Sequence, residues 1–262
     1  MGCCVVSGEE NRKNLVDKIN RGKVIKSFNF DKMNLHNLKF TDSLSDVNDI
    51  KIFSAQNNKL YLIPKKFFSN LNNIKNIDFS FNYFEEIDEI IFTKISLVTL
   101  NFSNNKISEL SENIKNLKNL KELILSHNQI IKFPIGVSYL HNLEILELSH
   151  NKIQNFPDFI LELEKLETVN INNNNISDLP EEKWSNSKIK NLDVSYNKLS
   201  AVPCDLLKNS MISNMNLKSN MITKRDFLKT NGYSEFEKRR KERKDQAYYK
   251  NLDVEFNLCG LD

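Results

Sequence analysis

The sequence is poor in the residues that build several common kinds of functional site. It contains only six glycines, with neither a Walker phosphate loop nor a dinucleotide-binding glycine pattern, so it offers no nucleotide site of those kinds. It has no apolar window of about 18 residues and no apolar run of roughly 7–15 residues within residues 1–30. Neither a membrane-spanning helix nor a secretory signal is therefore expected. The four cysteines lack the spacing of a metal site, and without a secretory signal they are expected to remain thiols.

An excess of charge of one sign is also missing. The chain has 37 Lys and Arg against 34 Asp and Glu, which gives a formal net charge of +3 and a sequence pI near 8.5. A balance this mild does not call for a nucleic-acid partner. The composition also gives no reason to expect a cofactor.

Asparagine, in contrast, is abundant, with 39 in 262 residues. Eight of them recur with one step of 24 residues and then six steps of 23: Asn58, Asn82, Asn105, Asn128, Asn151, Asn174, Asn197 and Asn220. Each closes the same phrase, which reads Leu120-x-x-Leu123-x-Leu125-x-x-Asn128-x-Ile130 in one of the clearest copies. A compositional bias alone would not keep apolar residues in phase with asparagine, so the pattern indicates a repeat protein.

The phrase has a mechanical explanation. Because strand side chains alternate, Leu123 and Leu125 are predicted to point into the coil while Ile124 points out. The asparagine amide can donate and accept, so one per coil is expected to bond the backbone of its own turn and of the next turn. The second half-repeat begins with Phe-Pro at Pro134 and Pro157, and proline favours the start of a tight helical or 3-10 turn.

These motifs resemble the leucine-rich-repeat superfamily, specifically its 23-residue class of plant intracellular Ras-group and Ras-suppressor-like proteins. The resemblance covers about Ile50 to Ile222. It implies an α/β solenoid, a curved stack with parallel strands on the concave face and short helical or 3-10 turns on the convex face. An earlier phrase from Ile25 to Leu35 is a degenerate copy, with Met33 in place of the asparagine.

The chain is predicted to have three parts. Residues 1–22 form an acylation segment and a short capping helix, since Leu15, Val16 and Ile19 have helical spacing. Eight clear repeats and the degenerate N-terminal one occupy residues 23–222. Residues 223–262 form a basic helical cap and tail.

The N-terminal residues Gly2, Cys3 and Cys4 suggest lipid attachment. Gly2 could carry myristate and the two cysteines palmitate, and two signals are needed for stable anchoring. The myristoylation motif favours Ser or Thr where this chain has Val6. The alternative is an unmodified terminus.

The C-terminal part contains the basic run Lys238 to Lys244. Three interpretations are open: a solvated capping helix, a polybasic segment that assists attachment to anionic lipid, and a nucleic-acid contact. The spacing of Leu228, Gly232 and Tyr233 ahead of this run is similar to the tail of short N-myristoylated cytoplasmic leucine-rich-repeat proteins.

The outward strand positions form two columns that contain no Lys or Arg, so the concave face is predicted to be acidic and rich in hydrogen-bonding groups. Aromatic and imidazole side chains line one margin of this face. The candidate partner-binding residues are Asp78, Phe81, Glu122, Ile124, His127, Ile145, Glu147, His150, Asp193 and Tyr196. The expected partner is a protein with a basic or amide-rich segment.

Catalysis and metal binding have little support in the sequence. His127 and His150 lie one coil apart, but no third ligand is evident, and Cys204 has no obvious base. We therefore expect a non-enzymatic, monomeric scaffold for protein-protein interaction, held on the cytoplasmic face of a membrane by its acylated terminus. The alternative is a soluble regulatory subunit of a phosphatase or small-GTPase pathway.

Overall fold

One parallel sheet organises the molecule. The structure is a computed structural model that describes residues 9–249 and 259–261. Nine three-residue strands each pair with the next strand along the chain. They are β1 (Ser27–Asn29), β2 (Ile52–Ser54), β3 (Asn76–Asp78), β4 (Thr99–Asn101), β5 (Glu122–Ile124), β6 (Ile145–Glu147), β7 (Thr168–Asn170), β8 (Asn191–Asp193) and β9 (Asn214–Asn216). The predicted α/β solenoid with parallel strands is confirmed.

Short helical segments return the chain from one strand to the next. The α-helices are α1 (Glu9–Ile25), α2 (Lys65–Ser69), α3 (Cys204–Asn209), α4 (Lys224–Lys229) and α5 (Tyr233–Tyr249). The 3-10 turns are Lys39–Ser43, Ile91–Thr93, Glu112–Asn116, Ile135–Tyr139, Asp158–Glu162 and Trp184–Asn186. Pro134 and Pro157 each directly precede such a segment, as predicted, and so do Pro64 and Pro203. Pro180 does not, because the turn that follows it begins only at Trp184.

The core fills the space between the strands and these turns. The middle residue of every strand is buried, and Leu123 lies opposite Leu146 in the register. Phenylalanine dominates the first coils, where the ring of Phe53 lies 5.1–5.7 Å from those of Phe67, Phe68 and Phe79. Leucine and isoleucine fill the later coils. Burial of this apolar surface is the main force that holds the stack together.

The eight repeated asparagines, which we call the asparagine ladder, connect the coils. The amide nitrogen of Asn151 donates to the carbonyl oxygens of Leu148 in its own coil and Leu125 in the preceding coil, both at 3.0 Å. Its amide oxygen accepts from the backbone N–H of Ile130, also in the preceding coil. The prediction that each asparagine reaches the next turn was therefore wrong about direction. The side-chain amide bonds the preceding coil because the buried backbone groups of that coil need hydrogen-bond partners.

Helix α1 covers the first strand of the sheet. Its Leu15 is buried against the core, while Val16 is exposed. The helix continues to Ile25, whose side chain is 58% exposed. The N-terminal copy of the phrase predicts that Ile25 occupies the first core position of a repeat. Because Ile25 is exposed, it does not occupy that position. Ile25 is instead the last residue of the capping helix.

The opposite end of the sheet is covered by two separate segments. Arg239 of α5 donates to the carbonyl oxygens of Leu207 and Ile212, so it closes backbone groups near the end of α3. The backbone N–H of Leu217 donates to the carbonyl oxygen of Cys259 at 2.8 Å. In each preceding coil this bond goes to the last residue of the next strand, so Cys259 takes the position of a further strand.

Candidate functional site

Six of the ten predicted partner-binding residues lie on two adjacent coils, those of β5 and β6. In the register Glu122 pairs with Ile145, and Ile124 pairs with Glu147. The two carboxylates are thus diagonal to each other, as are the two isoleucines. We call these four residues the central patch. All four are half-buried, so they lie on the concave face with part of each side chain open to solvent.

The remaining four predicted residues lie further along the face. Asp78 and Phe81 belong to the coil of β3, and Asp193 and Tyr196 to the coil of β8. Each pair is two coils from the central patch, which is about 10 Å at the usual strand spacing. The structure therefore does not bring all ten residues into one compact site.

Asp78 and Asp193 have a role that the sequence reasoning missed. The carboxylate of Asp78 accepts from the backbone N–H and the hydroxyl of Ser80, at 2.8 and 2.7 Å. Asp193 makes the same pair of bonds with Ser195, at 2.9 and 2.6 Å. Both carboxylates thus fix the chain where it leaves the strand. The Asp-x-Ser spacing could have indicated this, because Asp commonly bonds the backbone two residues ahead.

The central patch departs from this rule. From β3 to β9, the last residue of each strand accepts a bond from the N–H two residues ahead, except in β5 and β6. The residues that make the bond are Asp78, Asn101, Asn170, Asp193 and Asn216. Ile124 has no acceptor, and Glu147 makes no such bond within the described residues. Two neighbouring coils therefore lack a local stabilising contact that the other five coils from β3 to β9 have, which is the kind of exception found at functional sites.

The environment of Glu147 favours its neutral form more than water does. Burial raises the pKa of this carboxyl, a hydrogen bond with the Asn170 side chain opposes the rise, and the charge of Asp193 adds to it. A partly desolvated carboxylate forms stronger hydrogen bonds with cationic or amide donors than an exposed one does. Glu147 is therefore suited to accept such a donor from a partner.

The margin of the face carries residues in an unusual backbone conformation. Phe81, His127, His150 and Tyr196 each directly precede a ladder asparagine and have φ between 53° and 56°. Three other coils place asparagine there and the last places Ser219, and Asn104 has a φ of 56°. Asparagine and histidine tolerate this left-handed region better than large aromatic residues. Phe81 and Tyr196 thus carry backbone strain at exposed positions.

The two histidines of the margin form a stacked pair. Their ring centroids are 4.0 Å apart and the ring planes differ by 11°. Burial lowers the pKa of His150, and the neighbouring His127 lowers it further. Protonation of His150 is therefore disfavoured. No group of three or more His, Cys, Asp and Glu within the described residues is arranged to hold a metal ion.

Comparisons with known proteins agree with this architecture. Models of leucine-rich repeats match residues 96–117, 118–161 and 141–199. The chain is similar in structure to a leucine-rich-repeat protein of Leptospira interrogans, with 24% identity and a TM-score of 0.61. It is also similar to an internalin, InlF, and to the functional domain of InlJ, both from Listeria monocytogenes, with 17% and 18% identity and TM-scores of 0.59. The fold is a leucine-rich-repeat solenoid.

These matches establish the repeats and the fold alone. The alignments cover 77%, 73% and 79% of this chain and 58%, 60% and 47% of the three known structures. The solenoid thus spans about half to three fifths of the length of those chains. A search among curated proteins found no match. Leucine-rich-repeat solenoids generally act in protein-protein interaction, which supports a protein partner in general.

Basic side chains border the concave face of the solenoid, and one of them contacts a residue of its central columns. Lys121 pairs with Glu144 at 2.7 Å, and Lys190 pairs with Glu167 at 2.6 Å. From α5, the guanidinium of Arg243 donates to the side-chain oxygen of Asn191 in β8. Sequence reasoning did not predict this contact. It means that the basic run contacts the concave face at β8.

The predicted lipidation residues Gly2, Cys3 and Cys4 lie outside the described residues, so acylation stays a prediction. Across residues 9–249 and 259–261, no helix is both long and apolar enough to cross a membrane.

Proposed function

We propose that this protein is a non-enzymatic scaffold that binds a basic or amide-rich segment of a protein partner on its concave face. The observation that carries the proposal is the central patch. There Ile124 and Glu147 replace residues that would fix the turn, and they leave two carboxylates and two isoleucines facing outward on adjacent strands. This arrangement costs the fold a contact in each coil and provides a recognition surface instead.

The chemistry of the patch defines its partner. Glu122 and Glu147 accept from lysine, arginine or side-chain amides, and the two isoleucines provide apolar contact between them. The stacked His127 and His150 extend the same two coils at the margin. An extended segment laid across the strands can reach both the patch and the amide-rich columns of β7 to β9. The contact should weaken at high salt, since exposed charges are screened within about 8 Å at physiological ionic strength.

The patch can be tested by charge reversal. We expect the Glu122→Lys/Glu147→Lys variant to lose partner proteins that the wild-type chain captures from cell extract, as measured by quantitative mass spectrometry. Its melting temperature should remain close to wild type because both side chains are only half-buried. The matched control is Lys115→Glu/Lys118→Glu on the convex side, which should keep every partner. Retention by the first variant together with loss by the second would refute the proposal.

We further propose that acylation at Gly2, Cys3 and Cys4 tethers the scaffold to the cytoplasmic face of a membrane. The sequence motif alone supports this step. Gly2→Ala should move the protein from the membrane to the soluble fraction, and Cys3→Ser/Cys4→Ser should make attachment weak and reversible. An intact mass from native cells that shows an unmodified terminus would contradict the tether. It would favour the alternative, a soluble regulatory subunit of a phosphatase or small-GTPase pathway.

A further inference from the structure

A second exposed surface lies beside the concave face, where the chain runs on from the ladder asparagines of the β2 to β5 coils. The positions three and four residues after each asparagine come together along this flank. They are Tyr61, Leu62, Glu85, Glu86, Ser108, Glu109, Ile131 and Lys132. All eight are exposed. Because one register position repeats in every coil, these side chains form two parallel rows.

The two ends of the flank are apolar. Tyr61 and Leu62 are 57% and 62% exposed, and Tyr83 beside them is 48% exposed. At the other end Ile131 and Ile135 are 47% and 61% exposed. Single exposed apolar residues are common, but large ones gathered at both ends of one continuous groove mark an interaction surface. Tyrosine in particular is enriched among residues that dominate binding energy.

The middle of the flank is acidic. Two adjoining depressions share Ser108 and Glu109 as lining residues, so the groove is continuous between its apolar ends. Glu85, Glu86 and Glu109 make no salt bridge within the described part of the chain. Two lysines also line the groove, and one of them, Lys106, lies 5.2 Å from the centre of the Tyr83 ring. That contact shows that a cation fits against this aromatic face.

The spacing of the apolar ends selects the form of the ligand. Tyr61 and Ile131 are three coils apart, which is about 14 Å at the usual strand separation. An extended peptide advances about 3.3 Å per residue, and every second side chain lies on the same face. Residues i and i+4 are then about 13 Å apart on one face, with residue i+2 between them.

We propose that this flank binds an extended peptide segment of a protein partner that has apolar side chains at i and i+4 and a basic side chain at i+2. Charge complementarity with Glu85, Glu86 and Glu109 determines the basic position. The same carboxylates make an anionic lipid surface a poor occupant. The proposal does not depend on recognition at the central patch, because the two surfaces share no residue.

The test uses the full-length protein and a fluorescent peptide with the core Phe-Ser-Lys-Ser-Phe, followed by anisotropy. We expect saturable binding that weakens about tenfold when the peptide lysine is replaced by glutamate. Glu85→Lys/Glu109→Lys should weaken binding by a similar factor. Glu164→Lys changes an exposed carboxylate on another part of the solenoid and should leave binding unchanged.

A second set of variants separates this surface from the concave face. Tyr61→Ala/Ile131→Ala should reduce binding, whereas Glu122→Lys/Glu147→Lys should not. The proposal is overturned by the absence of saturable binding, by equal binding of the acidic peptide, or by loss only in the concave-face variant. Two further measurements would assign the flank to another occupant: loss of phosphatidylserine-vesicle binding in Tyr61→Ala/Ile131→Ala, or loss of a wild-type dimer in sedimentation of the same variant. Either result without peptide binding would also overturn the proposal.

Discussion

The asparagine ladder and the concave face lie on the same coils, yet they accept very different residues. The ladder position holds asparagine in eight coils, because each amide closes several backbone groups of two coils at once. The position directly before it varies from Asn57 to Phe81, His127 and Tyr196. Buried hydrogen-bonding groups therefore restrict the sequence far more than exposed positions do, even where the exposed backbone is strained.

The largest expected effect separates the two faces of one strand. Leu123→Asp places a carboxylate in the fully buried core and should cost more than about 3 kcal/mol of unfolding free energy. Ile124→Asp, one residue away on the concave face, should cost less than about 1 kcal/mol, part of it from the facing Glu147. Urea unfolding measures both variants, and similar losses would contradict the assignment of the two faces.

The next effect compares the interior of the ladder with its end. Asn128→Ala leaves the N–H of Ile107 and the carbonyl oxygens of Phe102 and Leu125 without their amide partner. We expect a loss of about 2–3 kcal/mol. Asn220→Ala should cost about 1 kcal/mol, since this last asparagine is only part-buried and water can replace its bonds. Equal urea midpoints for the two variants would show that the contribution of a ladder asparagine to stability does not depend on its burial.

Strain at the margin should yield a smaller change of opposite sign. Phe81→Asn puts a residue that tolerates left-handed backbone at φ 56° and should raise stability by about 0.5–1 kcal/mol. Asn104→Phe is the reciprocal control at the same φ and should lower stability by a similar amount. Thermal unfolding compares the two. A loss of stability in Phe81→Asn would mean that packing of the Phe81 ring outweighs the backbone strain.

The stacked histidines should give the smallest effect on stability. The pKa of His150 is lowered from its ordinary value of 6.5, chiefly by burial and then by His127. Its contribution to stability is therefore complete above the ordinary value and declines as the pH falls through the lowered pKa of the folded state. NMR titration should show this pKa rising only partly in His127→Asn, because burial remains. No change in His127→Asn would exclude coupling between the rings.

The repeat phase predicted much of the fold. Positions such as Leu123 and Asn128 recur because each coil needs the same core contact and the same hydrogen bonds. The ends were less predictable. Ile25 matches the phrase but belongs to helix α1. The carbonyl oxygen of Cys259 accepts a hydrogen bond from the last strand's coil, although no repeat pattern includes Cys259. An end coil has no neighbour on one side, so its contacts do not follow the period.

Only part of the candidate site could be predicted from the sequence, because the repeat pattern indicates which face a residue lies on but not which residues it contacts. Alternation along the strands was enough to assign Glu122 and Glu147 to the concave face. It did not show that Asp78 is bonded to Ser80, since the strand period says nothing about side-chain partners. The contact of Arg243 with Asn191 spans 52 residues, and no local pattern reports a contact at that separation.

In the proposed function, the central patch serves recognition and not folding. The most direct test is the Ile124→Asn/Glu147→Asn variant, which gives both coils the residue type that fixes the turn in β4, β7 and β9. We expect stability in urea that equals or exceeds that of the wild type, together with loss of the captured partner. Lower stability with full capture would show instead that Ile124 and Glu147 serve the fold.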